Sequence, residues 1–184
     1  AAEEWICALS ILMEMQRRKL GTDVVAYSAA LSACEKGGVW ENALILLAEI
    51  AQLRAQVDVI CYSAAMSACE KAGRWAMALD LLDTMAAAQL RSDTITHSIA
   101  ISACEKGGRW AVALQLLGTM VEAILECNTI TYSAAISACE KGGKWSAAMH
   151  LLGAMDEQKI ERDAIACAAA ISACEKGVQW EKAL

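Results

Sequence analysis

Proline and phenylalanine are missing from all 184 residues, and only two histidines are present. Without proline, nothing in the chain removes a helix donor or forces a kink. No stretch approaches the roughly 18 uninterrupted apolar residues that a membrane-spanning helix needs, which excludes such a span. The opening Ala1-Ala2-Glu3-Glu4-Trp5 has no basic region leading into an apolar one, so no signal or transit peptide lies within this segment. Positive charge is scarce: 16 Lys and Arg stand against 22 Asp and Glu, a net charge of −6. That argues against a non-specific nucleic-acid binder, which usually shows a basic surface. What remains is 57% hydrophobic and 21% charged, enough apolar material for a core and too much for disorder. The abundance of Ala, with Leu, Met, Glu and Lys, favours an all-α chain.

Internal repetition organises this material. Ser-Ala-Cys-Glu-Lys begins at Ser32, Ser67, Ser102, Ser137 and Ser172, each 35 residues after the last. All six tryptophans obey the same period: Trp5, Trp40, Trp75, Trp110, Trp145 and Trp180. Tyr27, Tyr62 and Tyr132 fall in register, with His97 in the remaining slot. Setting the start at Val24 gives four full repeats, 24–58, 59–93, 94–128 and 129–163. Partial repeats flank them at 1–23 and 164–184. Residues 1–184 thus read as one repeat array that begins and ends inside repeats, as an excerpt of a longer solenoid would.

Each repeat reads as two helices. In the first full one, helix A spans about Val25–Lys36, with Tyr27, Ala30, Leu31 and Cys34 on an apolar stripe of helical period. Gly37-Gly38 ends it, supplying a left-handed residue. Helix B runs from about Trp40 to Ala51, with Trp40, Ala43, Leu44, Leu47 and Ile50 as its buried stripe. One hairpin cannot bury both stripes, so neighbours must stack. The expected fold is an all-α, right-handed α-solenoid of stacked antiparallel helix hairpins, an α-α superhelix with helix A lining the concave side.

A period of 35 exceeds the 34 of tetratricopeptide units and falls short of armadillo and HEAT units. The run Val-Val-Ala-Tyr-Ser-Ala-Ala-Leu-Ser-Ala-Cys-Glu-Lys-Gly-Gly, then Trp-Glu-Asn-Ala-Leu-Ile-Leu-Leu-Ala-Glu-Ile, closed by Asp, resembles the pentatricopeptide repeat of the P type over the whole chain. The chain departs from that family in lacking a proline before the closing residue, where Val57, Ser92, Cys127 and Arg162 stand, and in being acidic.

The resemblance implies modular recognition of single-stranded RNA, one base per repeat. By that resemblance the fifth and closing residues read the base: Ser28 with Asp58, Ser63 with Asp93, Ser98 with Asn128, and Ser133 with Asp163. The second residues, Val25, Ile60, Ile95, Ile130 and Ile165, pack against the base faces. A carboxylate only accepts hydrogen bonds and suits the N–H donors of guanine; an Asn amide can donate to N1 of adenine. A small Ser hydroxyl can donate to a purine nitrogen. The implied core preference is G-G-A-G. The same resemblance implies organellar RNA processing, stabilisation or editing, in chloroplast or mitochondrion, with no enzyme activity in the array and no cofactor. An α-solenoid scaffold binding protein partners is the alternative. Lys36, Lys71, Lys106, Lys141 and Lys176 recur eight residues after the fifth place, roughly on its face. They are possible phosphate contacts, or they offset the dipole at the end of helix A.

Other constellations point to packing. Cys34, Cys69, Cys104, Cys139 and Cys174 repeat with the same period. Helices stacked about 8–10 Å apart hold such thiols beyond the roughly 7 Å disulfide limit and beyond zinc–sulfur bonds of about 2.3 Å. Small buried thiols are expected, and no metal site. His97 should be packed and His150 at the surface. The Trp ladder reads as inter-repeat packing before base stacking.

Overall fold

The structure, a computed structural model, describes residues 4–18, 24–52 and 57–177. Trp180, last of the Trp ladder, lies outside the described residues, as do the outermost parts of both partial repeats. Among the described residues there are ten α-helices and no strand. They are α1 (Glu4–Arg17), α2 (Val24–Gly37), α3 (Trp40–Gln52), α4 (Val59–Lys71), α5 (Trp75–Ala87), α6 (Thr94–Lys106), α7 (Trp110–Glu122), α8 (Thr129–Lys141), α9 (Trp145–Glu157) and α10 (Ala164–Lys176). The expected helix A and helix B alternate without interruption.

The chain divides into two compact units, Ala1–Ser92 and Asp93–Leu184. In the first, α2 packs beside α4, and the hairpins α2–α3 and α4–α5 close on themselves. Each B helix also reaches forward to the next A helix, α1 to α2 and α3 to α4. The second unit repeats the plan: α6, α8 and α10 lie side by side, with α7 touching α6 and α8, and α9 touching α8 and α10.

The stripe expected for helix A is buried throughout, Tyr27, Ala30, Leu31 and Cys34 being at most 2% exposed. Helix B differs in detail. In α3 the buried residues are Ala43, Leu46, Leu47 and Ile50, while Trp40 and Leu44 are half-buried. The physical reason is that α3 packs on α2 and α4 at once. Its apolar face spans these two neighbours, and Leu46, which a single stripe leaves out, faces α1.

The helix A turn is built on a glycine two residues after the repeating lysine. Gly38, Gly73, Gly108 and Gly143 all have φ between 65° and 69°, a left-handed conformation that glycine adopts without strain. The preceding position serves packing instead. A Cβ added to Gly142 would stand 2.3 Å from Trp110 Cδ1, and one on Gly37 2.6 Å from Trp5 Cδ1. The indole of one repeat thus lies on the helix A terminus of the next. The basic residue just after that turn covers the ring: Arg74 lies 4.9 Å from the Trp40 centroid, and Lys144 4.8 Å from that of Trp110. The described tryptophans are half-buried, and Trp5, Trp40, Trp110 and Trp145 lie against the following repeat, in the packing role. His97 is buried with Nδ1 3.2 Å from the Asp93 carbonyl, and His150 is exposed.

Candidate nucleic-acid interface

A row of exposed apolar side chains recurs at the second place of each repeat. Val25, Ile60, Ile95, Ile130 and Ile165 are 62–71% exposed, although each opens a helix whose next buried residues are almost fully covered. Within each compact unit, β-branched residues are left in water at one register position, repeat after repeat, as an apolar ladder.

Beside this ladder stand the closing residues, and each has a second role. Asp58, Asp93, Asn128 and Asp163 are the N-caps of α4, α6, α8 and α10, in extended backbone conformation. One side-chain oxygen of each accepts the backbone N–H three residues on: Cys61, Thr96, Thr131 and Ala166, at 2.7–3.0 Å. Such a cap contributes about 1 kcal/mol to the helix it starts. It also orients the side chain. With Oδ1 turned to the helix, each Asp keeps a second carboxylate oxygen that the cap does not use. Asn128 keeps its Nδ2 as an outward donor, because the opposite amide orientation would set donor against donor at Thr131 N–H.

The fifth residues are held by internal hydrogen bonds. Ser28 and Ser63 donate to the Val25 and Ile60 carbonyls, both at 2.9 Å. Ser98 Oγ lies 2.7 Å from the Thr94 carbonyl and 2.8 Å from Thr131 Oγ1. Ser133 is buried and donates to Asp163 Oδ1 at 2.8 Å, so fifth and closing residues of one repeat touch directly. Ser98 and Asn128 are linked instead through Thr131, whose Oγ1 is 2.9 Å from Asn128 Oδ1. The hydroxyls of Thr96 and Thr131 escaped sequence reasoning. Their signal was a polar residue in a helix position otherwise held by Ala or Cys.

Three lysines of the ladder are engaged between repeats. Lys71 Nζ is 3.0 Å from Glu35 Oε1, and Lys141 Nζ 2.5 Å from Glu105 Oε1; Lys176 pairs likewise with Glu140. Ser67 and Ser172 donate to the same oxygens of Glu35 and Glu140. The hydrogen bond from Lys176 is the main cause holding the Glu140 carboxyl below its ordinary range. The spacing of one repeat plus one residue carries these pairs, with each Glu reaching the Lys of the following A helix.

All nine cysteines are free, and the five of the ladder are buried. Among the described residues no three His, Cys, Asp or Glu side chains are grouped to hold a metal ion, and no helix is long and apolar enough to cross a membrane.

A repeat profile of the pentatricopeptide type matches residues 60–89, 95–123 and 130–160, and a pentatricopeptide repeat domain profile matches residues 10–72. The chain belongs to the pentatricopeptide repeat family. No curated protein matches it in sequence. Among solved structures it is similar to the pentatricopeptide repeat protein PPR10 from maize, with 18% identity, a TM-score of 0.81, and 98% of this chain covered. It is also similar to PPR10 in complex with an 18-nucleotide psaJ RNA element, at 19% identity and a TM-score of 0.76, again over 98% of this chain. A third is the pentatricopeptide domain of Arabidopsis thaliana protein-only RNase P 1 in complex with tRNA, at 16% identity, a TM-score of 0.73, and 83% of this chain against 81% of that one. The chain spans about a quarter of the PPR10 chain, 26% and 27% in the two structures. These likenesses show the fold, an all-α repeat solenoid.

Proposed function

We propose that this pentatricopeptide array binds single-stranded RNA and reads it one base per repeat, over the modules 24–58, 59–93, 94–128 and 129–163. The observation that carries this reading is the pairing of an exposed Ile, at the second place of four successive A helices, with a closing residue just before it that spends one oxygen on the helix cap and keeps a second polar atom off that cap. The apolar ladder offers flat bases a surface to pack on, and that second atom offers a hydrogen bond to the base edge. PPR10 bound to an RNA element and the RNase P domain bound to tRNA are solenoids of the same fold.

An outward Asp oxygen accepts from N1–H or N2–H₂ of guanine, and the outward Nδ2 of Asn128 donates to N1 of adenine. The preferred core is therefore G-G-A-G. Uracil N3–H also satisfies an Asp, so the test is a titration against G-G-A-G, G-G-G-G and poly-U at one salt concentration. Equal affinity for all three ends the proposal. Asn128→Asp should shift the third preference from A to G by about tenfold, the scale of one polar contact left unmade.

The array acts as an adaptor in organellar RNA metabolism, in chloroplast or mitochondrion, with any chemistry supplied outside these residues. Lys71, Lys141 and Lys176 reach phosphates by exchanging their Glu partners for the RNA backbone. The scaffold reading rests on an open cleft between α1 and α3 lined by Trp5, Ile6, Met13 and Ile45, the last three more than half exposed. Absence of RNA binding at low salt would favour it.

A further inference from the structure

Resting on the reading of Asn128 as the third base reader, we propose that Thr131 is a positioning residue that fixes which edge of the Asn128 amide meets the base. Thr131 is the third residue of the following repeat and is 0% exposed, so it touches no ligand itself. Its backbone N–H and its hydroxyl both point at Asn128 Oδ1, at 3.0 and 2.9 Å. That oxygen has two lone pairs, and one residue supplies a partner for each. The amide is locked with Nδ2 outward, the donor that adenine N1 requires. The Thr131 hydroxyl is in turn reached by Ser98 Oγ at 2.8 Å, so both readers of the 94–128 repeat hang on one buried hydroxyl.

The next repeat supplies the comparison. There the equivalent of Thr131 is Ala166, which has no hydroxyl. The Ala166 N–H still caps Asp163 Oδ1, at 2.7 Å, but the second bond comes from Ser133 at 2.8 Å. Ser133 is drawn in to 5% exposure, whereas Ser98 stays half-buried. Between these two repeats the third residue accompanies a different wiring. With Thr131, Ser98 and Asn128 are joined through an intermediary, and Ser98 remains half-buried. With Ala166, Ser133 and Asp163 satisfy each other. Elsewhere the same place holds Thr96, whose hydroxyl is 3.0 Å from Asp93 Oδ1 and accepts from Asp93 N–H in a reciprocal capping box, and Cys61, buried against the Asp58 cap.

The test uses two substitutions of nearly the same shape as threonine. Thr131→Val removes the hydroxyl and keeps the branched side chain; Thr131→Ser keeps the hydroxyl. Affinities for G-G-A-G and G-G-G-G are measured at fixed salt. The A-over-G ratio at the third base should fall about five- to tenfold in Thr131→Val, the scale of one hydrogen bond, and return in Thr131→Ser. An unchanged ratio in Thr131→Val, in a chain that does prefer G-G-A-G, overturns the role of Thr131 and leaves base reading intact. An unaltered chain that does not distinguish the two RNAs fails at base reading, and this inference falls with it. Should Thr131→Val melt the array, Ala166→Thr carries the test: a crystal structure should show the new hydroxyl on Asp163 Oδ1 and Ser133 released. Ser133 still bonded to Asp163 would overturn the proposal.

Discussion

Cys61 shows how far one side chain can be moved from its ordinary chemistry. Burial, then the hydrogen bond to Asp58, pushes its thiol up to about 12, and burial takes Cys69 and Cys139, and Cys104 against the opposing charge of Arg109, to about 11. A raised thiol favours the neutral form in the folded state. The stability it contributes is complete below the unfolded thiol value of about 9 and is lost as pH rises toward 11. Urea midpoints should therefore hold steady up to about pH 8.5 and fall between pH 9 and 11. A midpoint flat to pH 11 would contradict this burial. At pH 8, alkylation followed by mass spectrometry should label exposed Cys7 first and the buried ladder last. The ladder was legible from its period, because a small residue repeated at a helix-packing position needs only local spacing to be recognised. The hydroxyl of Thr131 was not. Its partner Ser98 lies 33 residues away, and their meeting depends on the stacking register of two A helices.

At the scale of the element, the two helix ends of a repeat solve one problem with different residues. Helix A ends on a glycine with positive φ. Helix B ends on Gln89, Ile124 or Lys159, with φ of 56–58°, followed by backbone bonds such as Leu125 N–H to the Met120 carbonyl at 2.9 Å. Position, not residue type, imposes the left-handed turn there. A β-branched residue in that conformation is strained, and Ile124 is 92% exposed, so no packing offsets the cost. Ile124→Gly should raise stability by about 1 kcal/mol, seen as a melting temperature higher by roughly 2–4 °C. An unchanged or lowered melting temperature would refute the strain. The helices themselves were legible because the stripes of 3.6 period survive in every repeat. The helix B end was not, since Ile124 carries no turn signal. The breadth of the α3 face was also missed, because α3 packs on α4 of the following repeat as well as on α2, and Leu46 faces α1.

For the whole molecule, charge is the deciding quantity. An acidic chain of net charge −6 that binds a polyanion needs its cations delivered locally. Yet Lys71, Lys141 and Lys176 are each held by a glutamate of the preceding repeat. Exposed pairs of this kind contribute up to about 1 kcal/mol each. Replacing Glu35, Glu105 and Glu140 together with Gln should release three ammonium groups at a modest cost in stability. RNA affinity should rise, and the dependence of log affinity on log salt should steepen by roughly 0.7 per lysine that reaches a phosphate. An unaltered slope would assign these lysines to inter-repeat clamping alone. The pairing was invisible in the sequence: Glu35 stands next to Lys36, and only the stacked helices reveal that it serves Lys71.

The closing residue of each repeat is also the first cap of the next helix, and this double duty restricts how such a chain can evolve. On the proposed base-reading role, a change at Asn128 alters the letter read and, in the same step, the start of α8. Only side chains that begin helices well, chiefly Asp, Asn, Ser and Thr, satisfy both demands. The vocabulary of the array is therefore bounded by folding before any RNA selects among its words, and drift toward a large apolar residue there would be removed as a folding defect.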